Sequence, residues 1–152
     1  MLETQALRLN RSRLRHMREG EYCLCLEPLS LKSKHLERLL PGAWIDLGGQ
    51  LPELQIRRDG RKVARVHPAS EGWYVGECVE EEPDLAERKR VLLEGRIAVL
   101  PAERVMPGKR IELPPSVFEQ VLLCRGEEPV ALAVLARCSE GYGLQVRERC
   151  DG

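Results

Sequence analysis

The sequence predicts an all-β fold with short helical turns, made of two small β-domains that form a pseudo-symmetric pair. Three observations predict it. Apolar and polar residues alternate over short segments bounded by Gly and Pro, which is the pattern of half-buried strands. The chain also repeats itself: LPGAWIDLG (Leu40 to Gly48) and MPGKRIELP (Met106 to Pro114) share an apolar residue, Pro-Gly, two variable residues, Ile, an acid and Leu. Finally, each copy is too small to bury a comfortable core alone, so the two must pack on one another or exchange strands.

The elements follow in order. Residues 1–19 read as an N-terminal tail, basic at RSRLR (Arg11 to Arg15). In EYCLCLE (Glu21 to Glu27), Tyr22, Leu24 and Leu26 alternate as one strand face. SLKSKHLERLL suggests a short helix capped by Ser30 or Ser33, with Leu36, Leu39 and Leu40 on one side, and Pro41-Gly42 stops it. AWIDLG is a short strand. LPELQIRRDGRKVARV is a hairpin turning at Asp59-Gly60. After a break around Pro68 to Gly72, GWYVGECV is the closing strand.

The second half repeats that order. GRIAVL is a strand through Ile97 and Val99, PAERVM about one helical turn, and KRIELP the short strand. FEQVLLCRGEEPVALAVLARC is the hairpin with Gly126 at its turn, and GYGLQVRE closes through Tyr142, Leu144 and Val146. Pro41, Ile45, Leu47 and Gly60 match Pro107, Ile111, Leu113 and Gly126 at a constant offset of 66 (107 − 41). Val63-Ala64 matches Val130-Ala131 at 67 (130 − 63), and Gly72-Trp73 matches Gly141-Tyr142 at 69 (141 − 72). The drift falls in turns, where insertions are tolerated. The domains are therefore 20–79 and 91–150. The acidic run and Pro83 of EEEPDLAERKR mark a solvated linker over 80–90.

Composition narrows the function. Lys+Arg and Asp+Glu are both 24, without the basic excess of a nucleic-acid binder. No apolar run approaches the roughly 20 residues of a membrane span, and the N-terminus lacks a signal-peptide core, so a cytoplasmic protein is expected. The six cysteines, at 23, 25, 78, 124, 138 and 150, contain no CxxC, and His16, His35 and His67 sit near no matching pair. They read as free thiols, with Cys150 exposed, and no metal or cofactor is expected. The three histidines converge with no nucleophile, Glu80 to Glu82 belong to the linker, and DLGGQ lacks the Lys and spacing of a phosphate loop. No catalytic residue is assigned.

The ordered motifs resemble the SPOA (surface presentation of antigens) domain. They are LLPGAWIDLG, GRKVAR and GWYVGE in the first half, and MPGKRIELP, PVALAVL and GYGLQV in the second. That domain occurs in flagellar rotor-switch proteins and in the cytoplasmic-ring proteins of type III secretion systems, and two tandem copies are most similar to the latter (the SctQ family). The resemblance implies that the two domains form an intertwined all-β pair and that the protein is a non-catalytic scaffold of the secretion sorting platform. Its expected partners are the N-terminal segment of the ATPase stator protein, a relative of flagellar FliH, other platform subunits, and further copies through the SPOA domains. Such a protein meets the membrane only through the secretion apparatus and binds no nucleic acid.

In this reading the paired domains share a core of Trp44, Ile45, Leu47, Ile111, Leu113, Val130, Tyr142 and Leu144, with Trp44 either core-filling or a contact residue. Val134, Leu135, Ala136 and Cys138 form the partner-binding strand. A flagellar switch component is the alternative of the same class. A cyclic-dinucleotide-binding module of PilZ type is a weaker alternative, suggested by RSRLR and Asp46 to Gly49.

Overall fold

The computed structural model describes residues 5–70, 72–78, 80–82 and 85–150; Val79 of the expected closing strand and Pro83 of the linker lie outside them. Among the described residues, the fold is all-β apart from one helix and three short 3-10 turns. Helix α1 is Gln5–Arg15. In the first half, β1 is Tyr22–Lys32, β2 Trp44–Gly48, β3 Leu54–Arg58, β4 Arg61–Ala69 and β5 Gly72–Cys78. In the second, β6 is Arg90–Leu100, β7 Arg110–Ile111, β8 Val121–Arg125, β9 Glu128–Cys138 and β10 Gly141–Arg149.

The ten strands form one antiparallel sheet in the order β2-β10-β9-β8-β6-β1-β3-β4-β5-β7. Replacing each strand by its counterpart in the other half (β1 by β6, β2 by β7, and so on) returns the same order reversed. A pseudo-twofold axis therefore runs between β1 and β6. The short strand after each Pro-Gly turn pairs with the opposite half, β2 with β10 and β7 with β5. Strand exchange is thus how each half completes its sheet.

The seam is the longest pairing. β1 and β6 run together from Tyr22↔Leu100 to Lys32↔Arg90, beyond the alternation visible in either segment. The register shifts between Leu24 and Cys25 and again between Leu26 and Leu29; the second shift absorbs Pro28, which lacks a ladder donor. One side of the sheet carries the main core, including Leu24, Leu26, Ile56, Leu93, Ile97, Leu123 and Leu144.

The other side of the seam differs from the sequence expectation. The tail is helical over Gln5–Arg15, and Leu14 is fully buried on Cys23, Cys25, Leu122, Cys124 and Leu132. Over Cys23 to Leu26 both faces of β1 are consequently buried rather than one. The helix ends against polar partners. Asn10 Nδ2 donates to the Ile97 carbonyl at 2.9 Å, and Arg96 Nη1 to the Leu14 carbonyl at 3.3 Å, satisfying a terminal carbonyl that has no intrahelical donor. The expected helix after β1 is a 3-10 turn, Ser33–Arg38, without a side-chain cap, and Leu40 stays exposed.

Candidate partner-binding surface

The two halves differ in the length of their last hairpins. β9 and β10 have 11 and 9 residues, against 9 and 7 in β4 and β5. β8 accompanies β9 only as far as Val121↔Ala133. Beyond Ala133, β9 continues to Cys138 paired with β10, which in turn carries β2. The second half therefore projects a longer three-stranded flap than the first, in which β4 passes Val66 only as far as Ala69, beside β5 and the two-residue β7.

Register sorts the flap's side chains, because directly paired residues share a face and successive residues alternate. Ile45, Leu144 and Leu135 form one cross-strand row, facing the main core. Trp44-Gln145-Val134 and Asp46-Gly143-Ala136 form rows on the opposite face, with Cys138 further along it. This outer face continues the one on which Leu132 packs beneath α1. The benzo ring of Trp44 fills the space that a Cβ on Gly143 would need, so Gly143 is buried while Trp44 itself remains 45% exposed.

The expected site residues divide accordingly. Val134 and Ala136 are half-buried and Cys138 exposed on the outer face. Leu135, expected beside them, points the other way and packs against the core, since neighbours on a strand cannot share a face. Ile45, Ile111, Val130 and Leu144 are buried in the core, with Leu47 and Leu113 half-buried against it. Trp44 belongs to the outer face instead. Tyr142 is half-buried beneath the Arg137 guanidinium, 5.8 Å from the ring centroid.

The sequence reading missed a polar network on the α1 side of the seam. Glu94 accepts from Arg57 Nε at 3.1 Å and from Arg96 Nε at 2.8 Å. Each arginine also donates to the turn glycine of one half: Arg57 Nη2 to the Gly60 carbonyl at 3.0 Å, Arg96 Nη2 to that of Gly126 at 3.2 Å. Arg57 and Arg96 are 4% and 9% exposed. Polar Gln55 and Arg57 interleaved with Leu54 and Ile56 were the available signal, but alternation reads such positions as solvent-facing.

Beside this network lies a cavity of about 480 Å³, lined among others by Arg18, Glu21, Cys23 and Cys124. Burial pushes the Cys124 thiol up to about 12, against the pull of Arg96, and also raises Cys25. Such thiols stay protonated near neutral pH and are poor nucleophiles. Strand β6 separates Cys23 from Cys124, so the two are beyond disulfide reach. Cys150, expected to be exposed, is half-buried, with Arg15 Nη2 3.4 Å from its sulfur. Among the described residues, no group of three or more His, Cys, Asp or Glu is placed to hold a metal, and no helix is long and apolar enough to cross a membrane.

The basic segment considered for cyclic dinucleotides faces internal partners. Arg11 approaches Glu148 at 3.9 Å and Arg13 pairs with Glu21 at 2.7 Å. The cavity beside α1 takes none of its lining from Asp46 to Gly49. Compared with known proteins, the chain matches no family model and no curated protein.

Proposed function

We propose that the chain is a non-catalytic scaffold of SPOA type in the cytoplasmic ring of a type III secretion apparatus, where it docks the N-terminal segment of the ATPase stator protein. The observation that carries this reading is the reciprocal exchange of β2 and β7 across a pseudo-twofold axis. That is the intertwined pairing which the resemblance of the two motif sets implies. It joins the two halves in one continuous sheet, a geometry suited to holding partners in register. The outer face of the flap, with Trp44, Val134 and Ala136, is the docking surface in this reading: an aromatic anchor beside small side chains accepts an apolar segment.

Calorimetric titration of the chain with the stator's N-terminal segment tests it. Saturable binding at about one segment per chain is expected, lost in Val134→Asp, whose side chain lies on the outer face and leaves the core intact. Absence of binding by a folded, monodisperse chain overturns the docking role. Binding undiminished in Val134→Asp moves the site elsewhere.

A further inference from the structure

Strand β2 stands at one end of the sheet, with β10 on one side of it. The direction of its backbone groups follows from the hydrogen bonds at its start. The Val146 N–H donates to the Ala43 carbonyl at 2.8 Å, so Ala43 faces β10. Backbone groups alternate sides along a strand; Ile45, paired with Leu144, therefore also faces β10, and Trp44 and Asp46 turn their N–H and C=O groups outward. The outward series ends there: the register shifts after Asp46 and pairs Gly48 with Tyr142 of β10, while the Gly48 N–H meets the Asp46 side chain (Oδ1, 3.1 Å). β2 contains neither Pro nor Lys; its one charge is Asp46, and its one register shift lies beyond the two outward residues.

From this we infer that β2 is a self-pairing edge: two copies of the chain join antiparallel, β2 to β2, about a twofold axis at Ile45. The register is self-complementary. With Ile45 opposite Ile45, Trp44 of each copy stands opposite Asp46 of the other, and the outward groups form four N–H···O=C bonds. A slip of one residue sets outward groups against inward ones and loses them all. The apolar row Leu135-Leu144-Ile45 then runs on into the same row of the second copy. On the other face Trp44 meets Asp46, so no like charges stand directly opposite. β7, at the far end of the sheet, has only two strand residues and offers no comparable length. The inference does not rest on the function proposed above.

Sedimentation velocity up to millimolar chain, with amide hydrogen exchange on the same samples, tests it; the range is high because pairing over one short strand is a small interface. A concentration-dependent dimer is expected, with the Trp44 and Asp46 amides slowing as it forms, while the inward Ile45 amide is protected throughout. Asp46→Pro deletes an outward N–H without touching the β10 ladder and should weaken the dimer at least about tenfold. A monomer at every concentration, with unchanged exchange at Trp44 and Asp46, overturns the inference, and so does a dimer equally tight in Asp46→Pro. Protection of those two amides only when the stator segment is added would give the edge to a partner, which also overturns self-pairing. Exchange in the unaltered chain decides the matter even where the proline variant fails to fold.

Discussion

The backbone N–H of Gly42 donates to the carbonyl of Val146 at 2.8 Å, joining the first Pro-Gly turn to the last strand of the other half. The second Pro-Gly turn repeats the arrangement: Gly108 donates to Val75 at 2.7 Å, and Val75 returns its N–H to Lys109 at 2.8 Å. Both glycines have left-handed backbones, φ +94° and +81°. The duplicated turn is where the chain crosses from one half to the other.

Gly42→Val and Gly108→Val should therefore each destabilise the chain by about 1–2 kcal/mol, the cost of a left-handed conformation for a side chain with a Cβ. Urea denaturation measures it. The space around both positions is open, so a loss far above that range would mean that the exchanged strand itself had detached.

Exchange also predicts how the chain behaves when cut. Glu80, Glu81 and Glu82 are exposed and Leu85 is 87% exposed, which makes the connection between the halves a natural protease target. A chain nicked there should elute as one species in native gel filtration and separate only in denaturant, held by the β1·β6, β2·β10 and β5·β7 pairings. Separation under native conditions would show that these pairings do not hold the halves.

Glu94→Ala leaves two buried guanidinium groups without their shared carboxylate, and such a loss costs about 3 kcal/mol or more. Glu94→Gln, which keeps one acceptor, should cost clearly less. In a double-mutant cycle with Arg57→Met the two losses should not add, because both remove the same contact.

Gly143→Ala puts a methyl group where the Trp44 ring lies. The ring must leave, with a red-shifted emission in a Trp73→Phe background and a loss of about 1–3 kcal/mol. Adding Trp44→Ala should recover much of the loss, whereas an unchanged emission would show that the ring does not rest on Gly143.

Acid should loosen the start of the chain. The Arg18 backbone N–H, 2.7 Å from Glu21 Oε1, holds the Glu21 carboxyl below its ordinary range, against the opposing effect of desolvation and with help from the Arg13 guanidinium at 2.7 Å. A depressed carboxyl contributes stability above its unfolded value, and that contribution disappears as pH falls through its folded value. Helix α1, tied to β1 through Arg13 and Glu21, should thus lose exchange protection below the usual carboxylate range before the sheet does. Glu21→Gln should abolish most of that pH dependence.

Much of the fold was legible in the sequence because it is written in local patterns. Period-two alternation marks strands, Asp59-Gly60 and Gly126 mark hairpin turns, and the Pro-Gly repeat marks a duplication; each rests on a few neighbouring residues. What sequence alone determined was therefore the all-β class, the order of elements and the doubling. Tertiary structure decided which half each short strand joined, that residues 5–15 fold as a helix over the seam, that Arg57 and Arg96 are buried around Glu94, and that Leu135 faces the core while Val134 faces out. The reason is that alternation fixes which residues share a face, but not which face is covered or which strand lies alongside. Those are settled by packing between segments far apart in the chain, and in this protein the deciding contacts run from one half to the other.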